Sequence, residues 1–296
     1  MRTKKVSLEI KEILWGTDFS KESRACLPYM KHISEKLNTE NHALYVLPRF
    51  SDWVYETAFL KDEELLKTIE HTRIKSKQKI ENYSKKAGFN FKSEIAEGIA
   101  SEEMIRYAEL HNVDIIFVGR RGISEIEQLL IGSTTSRLIR NSTIPIFVVP
   151  KPRRNVNIDK ILSPVDFSES SLLELKYSIA LAKQLNAELY VIHVSEFFNY
   201  KVPVLKRDKL VNKINEKIAA IAQDSGHQIT KIIYEMGEPA QKILQVAKNI
   251  NADVIPMAMH QKSGIERFFL GSISEKVLMY SDIPVLILPP SDYELS

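Results

Sequence analysis

A chain of 296 residues, 44% apolar and 27% charged, has the make-up of a soluble globular protein and the length of about two domains. A net charge of +3, with Lys and Arg interleaved among Glu and Asp, argues against a nucleic-acid binder. A single cysteine, Cys26, excludes an intrachain disulfide, and neither a signal-peptide core nor a membrane-length apolar run occurs, so a cytoplasmic protein is expected.

From the N-terminus, Ile13 to Gly16 reads as a strand and Asp18-Phe19-Ser20 as a loop, with Ser20 an N-cap. A helix runs to about Leu37 with a kink at Pro28, and Cys26 within it reads as a small core residue. His42 to Leu47 is the second strand. Leu65, Leu66, Ile69, Ile80, Tyr83 and Ala87 then lie at helical spacing on a long helix whose lysines, Lys75 to Lys86, form a solvated face. Phe91 to Glu97 is the third strand and Ser101 to Leu110 the next helix. Ile115 to Val118 is β-branched and aromatic, a strand buried on both faces. Gly119 and Gly122 follow, then a loop, then Gly132 and Ser133 heading a helix through Leu138 and Ile139. Ile146 to Val149 closes the unit as its fifth strand.

The unit then repeats. Ile13 to Ser20 matches Ile161 to Ser168 at a shift of 148 (18 to 166), which also carries Leu37-Asn38 onto Leu185-Asn186 and Val46 onto Val194. Later, Gly98, Asp114, Gly132-Ser133 and Ile144-Pro145 match Gly237, Asp253, Gly271-Ser272 and Ile283-Pro284 at a shift of 139 (132 to 271). The chain is a tandem duplication of domains 1–150 and 151–296, joined by the linker Pro150 to Asn157, and the second long helix is expected from about Arg207 to Gln223. Strand and helix alternate in each copy, which gives a parallel sheet with helices on both faces.

Strand, glycine turn and helix N-terminus in succession are the parts of a phosphate site. Glycines let backbone N–H groups approach an anion, and the unpaired N–H groups of a helix start favour negative charge. The pattern G-x2-G-x9-G-[ST], filled by Gly119, Gly122, Gly132 and Ser133, is neither a Walker loop nor a dinucleotide GxGxxG. It resembles the ATP-binding signature of the universal stress protein family. The resemblance implies two tandem open five-stranded parallel α/β sheets of order 3-2-1-4-5, Rossmann-like and similar to the adenine nucleotide alpha hydrolase group. It implies an ATP site where that order reverses, between the first and fourth strands. There Asp18 would lie against ribose and adenine and Val46 would line the adenine pocket. Gly119 and Gly122 would shape the phosphate turn, Gly132, Ser133 and Thr134 would donate to phosphates, and Arg120 and Arg121 could pair with them. On its residues alone Asp18 also reads as a helix-capping carboxylate, and the two arginines as solvated surface groups. Any Mg²⁺ would be carried by phosphate oxygens.

The second copy departs from this pattern. Asp166, Val194, Gly271 and Ser272 remain, but Ala258 replaces Gly119, Gln261 replaces Gly122, and Pro256 falls within the fourth strand, where it removes a ladder bond. Ala258 would cost about 1 kcal/mol if the turn needs positive φ, a demand also expected of Gly132. The second site therefore reads as degenerate, structural or suited to another, adenosine-like or anionic, ligand. The seven histidines show no metal-ligand spacing and no nucleophile elbow occurs. His193 reads as a core or crevice-edge residue, and His260, at the place of Arg121, as a group able to touch a ligand. Expected, then, is a stress-response regulatory protein that binds ATP or a related adenine nucleotide, with slow hydrolysis at most. A weak ATPase or nucleotidyl transferase, and a non-nucleotide dimerisation scaffold, are the alternatives. The resemblance also implies an internal pseudo-dimer pairing the two fifth strands, with a homodimer open and no protein partner named.

Overall fold

The computed structural model describes residues 6–7, 9–48, 62–121, 131–153, 156–195, 212, 215–223, 228–261, 268–290 and 293–294. Two compact units divide the chain: Ile10–Val156, and Asn157–Ser296 together with Met1–Glu9. The boundary expected after residue 150 thus falls inside the connection. The N-terminus joins the second unit because β1 (Val6–Ser7) pairs in parallel with β14 (Tyr293–Glu294).

In the unit Ile10–Val156 the elements are β2 (Glu12–Thr17), α1 (Lys21–Arg24), α2 (Leu27–Leu37), β3 (Glu40–Leu47), α3 (Asp62–Ala87), β4 (Lys92–Glu97), α4 (Ala100–Leu110), β5 (Ile115–Gly119), α5 (Ser133–Asn141) and β6 (Ile146–Val149). All pairings are parallel, in the order β4-β3-β2-β5-β6, which is the expected 3-2-1-4-5. The chain crosses one way from β2 to β4 and returns the other way to β5 and β6. Right-handed crossovers then place α1 to α3 on one face and α4 and α5 on the other. The inner strands are apolar through their middles (Ile13 to Trp15, Ala43 and Leu44, Ile115 to Val118), and Trp15, Phe117 and Phe147 are fully buried.

Pro28 does more than kink its helix. It sits in the first turn of α2, and Ala25-Cys26 form the turn separating α1 from α2. Cys26 is a core residue as expected, and burial, with the Asp18 charge, pushes its thiol well above the ordinary range. On α3, Ile80 is buried and Lys75, Lys77, Lys79, Lys85 and Lys86 are exposed, the expected solvated face. Leu66, counted on the apolar side, is instead 59% exposed. A helix of 26 residues is about 39 Å long and overshoots strands of six to eight residues, so its first turns lack a sheet to cover. Leu65 lies beyond the described side chains.

At the amino ends of the strands, His42 is buried between Glu12 Oε2 (2.7 Å) and the Tyr107 hydroxyl (2.9 Å). Burial, with the Glu94 and Glu12 charges, pushes that hydroxyl up to about 12. Next to this cluster Asp114 Oδ2 accepts the backbone N–H groups of Lys11 (2.6 Å) and Glu12 (2.9 Å), clamping the start of β2 to the start of β5.

The second unit repeats the plan with β7 (Lys160–Pro164), α6 (Glu169–Leu185), β8 (Glu188–Ser195), β9 (Lys231–Met236), α7 (Pro239–Ile250), β10 (Ile255–Ala258), β11 (His260–Gln261), β12 (Phe268–Phe269), α8 (Ser272–Tyr280) and β13 (Val285–Leu288). Residues 215–223 are helical, and 207–211, the expected start of that helix, lie outside the described residues. β9-β8-β7 and β10-β13 are two ladders joined by a single bridge, Ile161 to Val254. Leu162 N donates to Val254 O at 3.1 Å. In a parallel ladder the next bond would come back from residue 256, and Pro256 has no N–H to give. The single sheet expected here is therefore parted after one bridge. Asp253 Oδ2 repeats the clamp, accepting Asp159 N (2.9 Å) and Lys160 N (3.0 Å).

Since the clamp carries more of the β7–β10 junction than of β2–β5, Asp253→Ala should destabilise the protein more than Asp114→Ala. We expect about 2 kcal/mol for Asp253→Ala and roughly half that for Asp114→Ala. Urea denaturation of the two variants checks the order; equal losses would show that the ladder, not the clamp, sets the junction.

Candidate functional site

In the first unit the strand order reverses between the ends of β2 and β5, the place where an open parallel sheet forms a crevice. Asp18 follows β2, and its Oδ1 accepts Ser20 N at 2.9 Å, while Ser20 Oγ accepts Ser23 N at 3.0 Å and caps α1. Asp18 is thus the capping-loop carboxylate that the residues alone allowed, at the crevice where the resemblance placed it. Between them Phe19 adopts φ 62°, a conformation costing a non-glycine residue roughly 1–2 kcal/mol. It is held there by Thr17 Oγ1, which accepts Phe19 N at 2.9 Å, and by stacking on Tyr45 with ring centroids 4.8 Å apart. Tyr45 lies two residues before the end of β3, beside half-buried Val46.

Across the reversal, Gly119 ends β5 packed on α1. A Cβ there would lie 2.7 Å from Glu22 C, 2.8 Å from Ser23 N and 2.9 Å from Arg121 O, all backbone atoms. Gly119 is not among the positive-φ glycines, which in the described residues are Gly88, Gly98 and Gly237. The condition that the turn here needs positive φ is therefore not met, and the reason for this glycine is steric. Gly132 is likewise ordinary extended backbone (φ −57°, ψ 147°), so the positive φ expected there is also corrected. Arg120 and Arg121 are half-buried rather than solvated. Arg120 O accepts Gly132 N at 2.8 Å, tying the turn to the start of α5. Gly122 lies outside the described residues.

α5 begins on a residue with no side chain to cap it, and its first helical bond is Ser136 N to Gly132 O at 2.8 Å. The N–H groups of Ser133, Thr134 and Thr135 therefore have no acceptor within the helix. Thr135 Oγ1 donates to Gly119 O at 2.9 Å and so fixes the helix start against the strand end. This residue escaped the motif, although the repeat could have found it. Its counterpart Ser274 makes the same bond to Ala258 O at 3.3 Å.

The second unit keeps this frame and alters its lining. A cavity of about 670 Å³ lies over the ends of β7, β8 and β10. Asp166, Val194, Gly271 and Ser272, the retained residues, all line it, together with His193 and His260. Phe167 repeats the strained turn at φ 66°. Asp166 Oδ1 accepts Ser168 N (2.9 Å) and Ser168 Oγ (2.6 Å). Burial pulls its carboxyl up, but bonds from Ser168 and Ser171, with the His260 charge, outweigh that and hold it below the ordinary range. His193 is a crevice-edge residue whose Nδ1 donates to Val165 O at 2.7 Å. Behind the crevice Glu174 is 1% exposed and accepts from Ser163 (3.0 Å) and Ser178 (2.5 Å). Burial raises its carboxyl to about 8, against those two bonds, and the Asp166 charge adds to the rise. At the matching places the first unit has Trp15, Cys26 and Met30.

A family model described as the universal stress protein family matches residues 9–150 and again 157–289. The chain belongs to the universal stress protein family. Universal stress protein MJ0531 of Methanocaldococcus jannaschii is 32% identical over 138 residues, 44% of this chain and 81% of its own. MJ0577 of the same organism is 30% identical over 159 residues, 49% of this chain and 98% of its own. The crystal structure of a universal stress protein from Archaeoglobus fulgidus matches with a TM-score of 0.72 at 24% identity, over 94% of this chain and 98% of that one, a likeness of fold. Among the described residues of this universal stress protein, no helix is long and apolar enough to cross a membrane.

Gly119→Ala should destabilise the first unit by about 1–3 kcal/mol, because the added methyl meets backbone that cannot turn aside, while Ala258→Gly should change little. Thermal denaturation of both variants checks this; equal effects would refute the steric reason. Glu174 gives a pH dependence. Its folded carboxyl is raised above the unfolded one, so its contribution is full below the ordinary glutamate range and is lost as pH climbs through that range to about 8. Glu174→Gln should flatten the fall in stability between pH 5 and 8. Parallel pH profiles for the two proteins would disprove the assignment.

Proposed function

We propose that this universal stress protein is a nucleotide-responsive regulator that takes ATP in its first unit and reports occupancy to a protein partner. The observation that supports it most directly is the meeting of two independent loops at the strand-order reversal. The Asp18 turn lies on one side, and the open N-terminus of α5, fixed to Gly119 through Thr135, lies on the other. In this reading Asp18 meets ribose and adenine, and Val46 lines the adenine side. Ser133 and Thr134 donate backbone N–H groups to phosphate, with Gly132 leaving room for it. Arg120 and Arg121 stand beside the phosphates. Gly119 has a supporting part, letting α1 close on the strand end and bring the Asp18 loop to the turn. Among the described residues no group of His, Cys, Asp and Glu is placed to hold a metal ion, so Mg²⁺ would arrive on the phosphates. The reading assigns no catalytic residue, and turnover would be slow.

Ser133→Glu tests it cleanly. Ser133 is exposed in the first turn of α5, where a carboxylate suits the helix by about 0.3–1 kcal/mol yet occupies the anion's place. ATP affinity by calorimetry should drop roughly tenfold or more with thermal stability unchanged or higher. Gly132→Val, whose backbone angles valine accepts, should do the same by filling space. Unaltered ATP binding in both folded variants would end the assignment.

A further inference from the structure

We propose that the second unit carries a site for a small, neutral aromatic molecule of one or two rings at the start of β9. A cavity of about 480 Å³ lies there between the helix over 215–223 and β9. It sits at the amino end of the strand, whereas the crevice lies over the carboxyl ends, so the site is independent of the ATP reading. Ile218, fully buried, forms its wall with Ala219, Ala222, Ile229 and Ile232, and the volume falls in the range of small-ligand sites.

The class of occupant comes from the first unit, which fills the same corner with its own side chains. There α3 and β4 stand where the 215–223 helix and β9 stand in the second unit, and Lys92–Glu97 falls on Lys231–Met236 at the shift of 139. Four rings close that corner. Trp15 stacks on Phe91 with centroids 5.6 Å apart, Tyr83 meets Trp15 edge-on at 5.9 Å, and Phe89 meets Phe91 edge-on at 4.9 Å. The second unit has Ser163 in place of Trp15, and Gln228-Ile229-Thr230 in place of Phe89-Asn90-Phe91. Among the described residues, none of those lining the cavity is aromatic.

Loss of the rings did not turn the corner polar. Asn90 and Ser93 of the first unit fall on Ile229 and Ile232, so two wall positions became more apolar as the rings went. Water finds no partners at such walls, whereas a ring buries them and regains the contacts that the first unit makes for itself. Among the described residues no charged side chain lines the cavity, so nothing there offsets the desolvation of an ionic ligand. Gln223 and Gln228, both exposed, line its open side and can bond one polar group on the ring.

Indole is the probe, titrated by calorimetry into the full chain, and one saturable indole site per chain is expected. Ala222→Phe, which returns a ring to the corner, should weaken indole tenfold or more by occupying the cavity. Ile232→Ser, which installs the first unit's residue at a half-buried position of an edge strand, should weaken it about fivefold. The two changes lie on opposite walls, so if one variant fails to fold the other still decides. Absence of saturable indole binding by the unsubstituted chain would overturn the proposal, as would binding left unchanged in either folded variant. So would 1-octanol binding more tightly than indole, since the space is inferred to be that of rings and not of an alkyl chain.

Discussion

Each unit depends on one electrostatic clamp, a carboxylate at the start of the fourth strand that accepts two backbone N–H groups from the start of the first. Asp114 does this for Lys11 and Glu12, and Asp253 for Asp159 and Lys160. These are the two strands flanking the reversal of strand order, where no hairpin or short loop holds neighbours together. Fixing their amino ends fixes the register, Ile13 to Ile115 in one unit and Ile161 to Val254 in the other. The register in turn decides which residues emerge together at the carboxyl ends. The crevice is thus specified from the far side of the sheet. Burial raises the Asp114 carboxyl even though its backbone bonds act to lower it, so the clamp is made at a desolvation cost that only good hydrogen-bond geometry offsets.

Duplication gave two copies of this frame, and the copies then spent their interiors differently. In the first, Trp15, Cys26 and Met30 fill the space under α1 and α2 with apolar volume, and Trp15 Nε1 donates to Ser23 O at 2.8 Å. In the second, Ser163, Glu174 and Ser178 occupy those places as a closed polar cluster beneath one uninterrupted helix. The exchange works only because all three changed together. A buried carboxyl beside Trp and Met would have had no partner, while two serines can satisfy it. The amino ends diverged in the opposite sense: the His42, Glu12 and Tyr107 cluster of the first unit becomes Tyr190, Lys160 and Val246 in the second.

Much of this was legible in the sequence because it rests on local chemistry repeated at a fixed shift. Asp-Phe-Ser and Gly-Ser recur, and so do the turn asparagines: Asn38 and Asn186 end their helices at φ 55° and 53°. What escaped was of two kinds. Contacts between distant residues leave no local trace, so Thr135 bonding Gly119 O and Met104 lying 2.6 Å from where a Gly16 Cβ would sit could not be read from spacing. The second kind was a wrong cause for a right residue. Positive φ is the demand read for Gly132 and, conditionally, for the turn at Gly119, yet Gly119 is needed because backbone crowds it and Gly132 is ordinary extended chain that offers no cap.

The positive φ is real but sits elsewhere, on Phe19 and Phe167, which no propensity would choose for it. Each is the residue between the carboxylate and the capping serine, and each ring packs on a residue near the end of the second strand, Tyr45 or His193. The strain has a structural return. Turning the backbone left-handed at this one residue lets Asp18 or Asp166 fold back on the next N–H while the aromatic ring is driven onto the neighbouring strand. The carboxylate and the wall of the crevice are then set by the same dihedral angle. A change at Phe19 or Phe167 would therefore move both together, so a single strained residue governs the shape of this end of each unit.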